Sequence, residues 1–75
     1  MKGLIIMTIT KKMRNLEVGT IIERASGYII LTSEFDSFHG AYEYHDIEFD
    51  ENGEMIEEQT GGYVTLSDLI GSNIS

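Results

Sequence analysis

Carboxylates are the side chains that dominate the chemistry available to this sequence. Ten of its thirteen acidic residues fall between positions 34 and 58. Carboxylates at this density can bind a basic partner, hold a cation or exchange protons in catalysis. We call this set the acidic tract: Glu34, Asp36, Glu43, Asp46, Glu48, Asp50, Glu51, Glu54, Glu57 and Glu58.

The basic residues lie in a different part of the chain. All five Lys and Arg residues occur in the first 24 positions with two acids, whereas positions 25–75 carry eleven acids and no Lys or Arg. The net charge of −8 argues against direct binding to DNA, RNA or an anionic membrane, which repel an acidic protein. It favours a basic partner, a cation or a role in solubility.

A strong turn signal, Asn52-Gly53, lies inside the acidic tract and suits a type I′ hairpin turn. Hairpins with a two-residue or a four-residue turn would place like charges opposite each other: Glu51 with Glu54 and Glu48 with Glu57, or Asp46 with Glu57. Such pairs destabilise a sheet, and the cost is tolerated where a surface is functional. The tract is therefore either a partner-binding surface or a solvated outer face.

Two tyrosines accompany the carboxylates. Tyr42 and Tyr44 are two residues apart on a predicted strand, so their side chains share one face. Tyrosine is favoured at protein interfaces, and we predict that these two join the acidic tract in binding a partner. The alternative is that both rings belong to the core. Phe35, Phe38 and Phe49 are expected in the core.

Metal binding has weaker support in the sequence. Positions 48–53 are similar to the start of a calcium-binding loop, but the loop pattern requires Asp first, Glu at the twelfth position and flanking helices. Here the first residue is Glu48 and the twelfth is Gln59. His39 and His45 lack a third soft ligand. We expect no metal and no cofactor, and keep a cation site at 48–52 as an alternative.

Catalytic motifs are missing from the sequence. No Gly-rich phosphate-binding loop occurs, because Gly61-Gly62 lacks the flanking pattern and a nearby Lys. No motif pairs a serine or threonine nucleophile with His39 or His45. Paired carboxylates need a cleft for glycoside hydrolysis, and a chain of 75 residues rarely builds one. We therefore expect that the protein is not an enzyme.

The elements that must position these residues are mostly strands. Apolar and β-branched stretches predict strands at 2–10, 20–24, 28–33, 41–50, 54–60 and 63–64. A hairpin loop is expected at 25–27, with Gly27 at positive φ, and a loop at 35–40. The apolar phase shifts near His45, which indicates a β-bulge or bend.

Helical signals are short. Met13 and Leu16 are three residues apart and predict a helical turn within 11–19, ended by Gly19. Positions 65–68 resemble a capping box that opens a short helix, which Gly71 ends. Positions 72–75 are expected to fray.

Together these elements predict one acidic domain spanning residues 1–75. Its expected fold is mostly β (β or α+β), a small antiparallel sheet or partly open SH3-like barrel of five or six short strands with a short C-terminal helix. The longest apolar run, 4–7, is shorter than a signal peptide core and far shorter than the roughly 20 residues of a membrane span. The chain has no cysteine, and we expect a cytoplasmic location. Met7 is a second candidate start.

In size and charge distribution the chain is similar to small acidic inhibitors from phages and mobile elements, such as anti-CRISPR, anti-restriction and uracil-glycosylase inhibitor proteins. The similarity carries no motif. It implies an acidic protein-binding inhibitor or DNA mimic that blocks a basic nucleic-acid-binding protein. The alternative is a structural or regulatory β-module, a homodimer in one version, acting through edge contacts of the apolar strands at 4–9 and 29–31.

Overall fold

The computed structural model describes residues 7–13 and 15–75. These residues form β1 (Met7–Thr8), β2 (Ile21–Arg24), β3 (Gly27–Leu31), β4 (Tyr42–Phe49), β5 (Met55–Val64), α1 (Leu66–Leu69) and β6 (Asn73–Ile74). The strands build one open antiparallel sheet in the order β1-β6-β2-β3-β4-β5. The predicted mostly β fold with a short helix is confirmed.

Two hairpins form the centre and one end of the sheet. β2 and β3 pair from Ile21↔Ile30 to Arg24↔Gly27, which leaves Ala25 and Ser26 as the loop. Gly27 has a φ of +137°, as its predicted position requires. β4 pairs with β3 on one side and with β5 on the other, so β5 is an edge strand.

One face of the sheet carries the core, because alternate residues of each strand point to the same side. The core consists of Ile9, Ile22, Ile29, Leu31, Tyr42, Val64 and Leu69. Leu69 comes from α1, and Ile9 follows β1, so loops and the helix cover this face. Leu66 and Tyr44 pack against the cluster at its margin.

The opposite face carries a second, smaller apolar group. Ile47 is buried but stands outside the core cluster, because it pairs with Tyr28 and therefore projects from the other side of the sheet. Tyr28 and Phe49 pack edge to face here, with ring centroids 4.9 Å apart. Phe49 remains 41% exposed.

The end of the described chain is integrated into the sheet, so the prediction that positions 72–75 fray is wrong. β6 lies between β1 and β2, and the Ile9 amide donates to the Ser72 carbonyl at 2.8 Å. The predicted capping box is confirmed: the Thr65 hydroxyl accepts from the Asp68 amide, and the Asp68 carboxylate accepts from the Thr65 amide.

The first predicted elements differ from the structure. Within the predicted 2–10 strand, positions 2–6 lie outside the described residues, and the described part forms β1. The described residues of 11–19 contain turns and no helix; the Met13 amide donates to the Thr10 carbonyl, and Gly19 has a φ of +92°. Met13 and Leu16 pack against the core from this irregular segment. None of the helices in the described residues is long and apolar enough to cross a membrane.

Candidate protein-binding surface

The β4–β5 hairpin carries most of the acidic tract, and its register corrects the sequence prediction. Phe49 pairs with Met55, and the intervening loop has five residues rather than two or four. The observed partners across the hairpin are Glu48↔Ile56 and Ile47↔Glu57. The predicted opposition of Glu48, Asp46 or Glu51 to another carboxylate is therefore wrong, because each acid of the ladder faces an apolar residue or another neutral group.

The hairpin loop owes its length to Asp50. One of its side-chain oxygens accepts hydrogen bonds from the amides of Asn52 and Glu54, both at 2.8 Å. The Asp50 amide donates to the Glu54 carbonyl, and Gly53 takes the positive φ of +82°. Asp50 therefore has a structural role, while Glu51 and Glu54 are exposed at the tip.

A β-bulge interrupts the ladder between His45 and Ile47, as the shift in apolar phase predicted. Across this point β5 advances from Gly61 to Glu57, so the extra residues lie on β5. The Thr60 hydroxyl donates to the Asp46 carboxylate at 2.9 Å, and this hydrogen bond links the bulged segment of β5 to β4.

The bulge brings three carboxylates around one shallow depression. Asp46 and Glu48 project from the same face of β4, and Glu58 comes from the bulged segment of β5. The remaining wall is formed by Thr60, by the β2–β3 loop and by three apolar or aromatic residues, Tyr28, Ile47 and Phe49. We call Asp46, Glu48 and Glu58 the acidic depression.

The remaining acids of the tract are dispersed. Glu57 projects to the opposite face, where its carboxylate contacts the His45 ring at 2.5 Å. Glu43 lies opposite Tyr63 on that same face. Glu34 and Asp36 belong to the loop before β4. The acidic tract is thus not one continuous patch.

The charge of the tract lacks neutralising cations in the described part of the chain. Within residues 7–13 and 15–75, the only ion pairs join carboxylates to histidines, His39 with Asp36 and His45 with Glu57. No group of three or more potential ligands among these residues is arranged to hold a metal ion.

The two predicted tyrosine anchors occupy core positions. Tyr42 is 0% exposed, and its hydroxyl accepts from the Leu16 amide at 3.2 Å. Its predicted contact with a partner is therefore wrong, because the ring is enclosed by the core. Tyr44 is half-buried and packs against the same cluster.

Sequence reasoning missed an exposed aromatic group in the loop before β4. Phe38 is 89% exposed, although it was expected in the core; Phe35 is 45% exposed. The His39 ring stacks on Tyr63 with centroids 4.4 Å apart and contacts Phe38 edge to face at 5.1 Å. We call Phe38, His39 and Tyr63 the aromatic cluster. The Asp at 36 and Gly at 40 were the available signal, because they mark a tight turn whose tip is exposed.

Asp36 fixes this loop. One carboxylate oxygen contacts His39 Nδ1 at 2.6 Å, and the other accepts from the Phe38 amide at 2.9 Å. The hydrogen bond to the His39 side chain is the main reason why the pKa of Asp36 lies below its ordinary value. The Asp36 amide also pairs with the Ala41 carbonyl at 2.9 Å, which closes the loop.

Comparison with protein-family models, curated proteins and solved structures finds no match for this chain.

Proposed function

We propose that this chain is a non-catalytic, acidic protein-binding inhibitor that occupies the nucleic-acid-binding site of a basic partner. The observation that carries the proposal is the acidic depression, in which Asp46, Glu48 and Glu58 converge without a neutralising Lys or Arg among the described residues. Unbalanced charge of this kind is costly within one molecule and is relieved when a complementary surface covers it.

The spacing of the carboxylates is compatible with mimicry of a phosphate backbone. Asp46 and Glu48 are alternate residues on one strand face, separated by about 6.8 Å along the strand. Neighbouring phosphates of one DNA strand rise about 3.4 Å along the axis and also rotate about it, so they lie several ångströms apart through space, on the order of the carboxylate separation. A site that accepts phosphates at this interval can accept these two side chains.

The similarity in size and charge to phage and mobile-element inhibitors supports the same class of target. Under this proposal the chain acts in the cytoplasm on a nuclease, helicase, glycosylase or CRISPR effector. Its partner is a basic protein, and neither nucleic acid nor membrane is bound directly.

Capture of the target from bacterial lysate tests the proposal. The tagged chain is compared with Glu48→Gln/Glu58→Gln and with the control Glu17→Gln/Glu23→Gln, which removes the same charge outside the acidic tract. Bound proteins are eluted with a salt gradient and identified by mass spectrometry. We expect a basic nucleic-acid enzyme released by moderate salt, lost with the first variant and retained with the control. Equal effects of both variants would contradict a role for the acidic depression.

A second candidate function is a structural β-module that pairs along a strand edge. β5 is a ten-residue edge strand with exposed Met55 and Ile56. Of the strands first expected to pair, 29–31 lies in central β3, whereas β1 forms the opposite edge of the sheet and has two residues, Met7 and Thr8, in the described part of the chain. Recovery of the chain itself, or of a partner that resists salt, would favour this function.

A further inference from the structure

The aromatic cluster exposes apolar rings in the loop before β4, and the fold itself gives no reason for this exposure. Phe38 is 89% exposed, so it gains little of the stabilisation that a buried phenylalanine provides. Around Phe38 the loop is nevertheless tightly fixed. The Asp36 carboxylate holds both the Phe38 amide and the His39 ring, and that ring lies flat on Tyr63.

Phe38 points outward from a loop that is held by the Asp36 hydrogen bonds and by the His39 ring stacked on Tyr63. His39 cannot leave without losing its stacking contact of 4.4 Å with Tyr63 and its contact of 2.6 Å with Asp36. A loop whose backbone is already held by hydrogen bonds loses less entropy when a partner covers it. Aromatic residues are enriched at protein interfaces, and tyrosine is among those that contribute most to binding.

The negative charge around the aromatic cluster favours a positively charged partner group. Glu43 lies directly opposite Tyr63 across the β4–β5 ladder, and Asp36 lies beneath His39. The described Lys and Arg residues, Lys11, Lys12 and Arg24, form no ion pair with these acids. An aromatic face beside a carboxylate attracts a planar cation, because the ring quadrupole and the carboxylate act on it together. Arginine stacks on aromatic faces, whereas lysine acts as a compact, strongly hydrated charge.

We infer that the aromatic cluster, with Glu43, binds arginine side chains of a basic protein partner. The inference rests on the proposed function for the class of partner. It adds a second contact region, because neither Tyr63 nor Glu43 lines the acidic depression. Arginine guanidinium groups stack on the exposed rings of the cluster, and the Glu43 carboxylate, which lies opposite Tyr63, accepts hydrogen bonds from the arginine beside it.

Titration of the full chain with hexa-arginine, followed by nuclear magnetic resonance at near-physiological salt, tests the inference. Hexa-arginine is expected to shift the ring resonances of Phe38, His39 and Tyr63 and the Glu43 amide. Hexa-lysine, with the same charge but no planar group, is expected to bind the cluster more weakly, and neutral hexa-glutamine is expected to leave it unchanged.

Two substitutions separate stacking from apolar contact. Phe38→Leu keeps an apolar side chain without a π face, and Phe38→Ala removes most of the side chain; both leave the charge unchanged. Each is expected to weaken hexa-arginine binding about two- to fivefold, the range of an exposed cation–π contact. Both variants should fold, because Phe38 is almost fully exposed.

Three results would overturn the inference: unchanged binding by Phe38→Leu, equal shifts with hexa-lysine, or shifts confined to positions 46–58. Glu48→Gln/Glu58→Gln separates this inference from the proposed function. If that variant loses its lysate target and still binds hexa-arginine at the aromatic cluster, both conclusions are supported. If hexa-arginine does not shift the cluster while lysate capture still depends on the acidic depression, only this inference fails.

Discussion

Two neighbouring glycines of β5 show how strongly single positions differ in this sheet. A Cβ atom on Gly61 would lie 1.9 Å from the Tyr44 carbonyl oxygen and 2.9 Å from the His45 Cα. A Cβ atom on Gly62 would lie no closer than 3.8 Å to the Tyr44 ring. The bulge therefore requires glycine at Gly61, where two backbones approach closely, and not at Gly62.

We predict that Gly61→Ala destabilises the fold and that Gly62→Ala does not. The alanine methyl at Gly61 must displace backbone atoms of β4, which cannot rotate away, and we expect a loss of about 1–3 kcal/mol or more. Gly62→Ala should change the free energy of unfolding by less than about 1 kcal/mol. Urea denaturation of both variants measures the difference. Equal losses would show that Gly61 is not closely packed.

Asp36 gives the stability a predictable dependence on pH. Its pKa in the folded protein lies below the ordinary value of 3.8, mainly because of the hydrogen bond to His39. The folded state therefore resists protonation more than the unfolded chain does. The stabilisation is complete above the ordinary pKa and is lost as pH falls through the folded pKa.

We therefore expect Asp36→Asn to lower the melting temperature at pH 7, and the gap from the natural chain to shrink as pH falls below about 4. Glu51→Gln is the control, since this exposed tip carboxylate accepts no hydrogen bond from the described residues. Melting curves between pH 7 and pH 2 provide the measurement. A gap that stays constant over this range would contradict the role given to the Asp36 carboxylate.

At the scale of single residues, the sequence predicted turn and cap positions better than it predicted which side chains are buried. Gly27 and the Thr65 capping box follow from short-range turn and cap preferences, which the sequence displays directly. Phe38, which was expected in the core, is exposed, and Tyr42, for which both an interface and a core position were open, is buried, because burial depends on which elements cover a residue. The aromatic cluster joins residues 38–39 with Tyr63, and no local pattern indicates such a contact.

At the scale of elements, the β4–β5 hairpin shows why register resisted prediction. Asn52-Gly53 favours a two-residue turn, but the Asp50 carboxylate binds two amides of a longer loop and shifts the register by one residue. One residue of shift moves side chains to the other face of the sheet. It places Ile56 opposite Glu48 and separates Glu57 from the acidic depression.

The capping box of α1 yields a prediction at this scale. Thr65→Ala removes the hydroxyl that accepts from the Asp68 amide, and it should cost about 1 kcal/mol of unfolding free energy. The short helix must stay in place because Leu69 is fully buried in the core. Ser67→Ala, exposed in the same turn, should change stability by less than about 0.5 kcal/mol. Equal effects in urea denaturation would mean that the box does not hold α1.

At the scale of the whole molecule, strand order decides which residues meet, and it lies beyond local sequence patterns. The mostly β class and antiparallel hairpins were predictable from periodicity and turn residues. The insertion of β6 between β1 and β2 was not, because it joins segments more than 45 residues apart in the chain. This pairing encloses one face of the sheet and leaves β5 as a long open edge.

The open edge of β5 and the net charge of −8 together predict the association state. An exposed ten-residue edge can pair with a second copy, and like charge between copies opposes that pairing. We expect a monomer at pH 7 and low salt, and self-association as pH approaches the isoelectric point of about 4.4, where the repulsion disappears. Sedimentation velocity over a range of concentrations at both pH values measures this. A dimer at pH 7 would favour the structural β-module over the inhibitor, because the edge would then overcome the full charge. A monomer at both pH values would show that charge repulsion is not what prevents pairing along β5. The carboxylates on or beside this strand, Glu54, Glu57 and Glu58, would then have no role in keeping the edge unpaired.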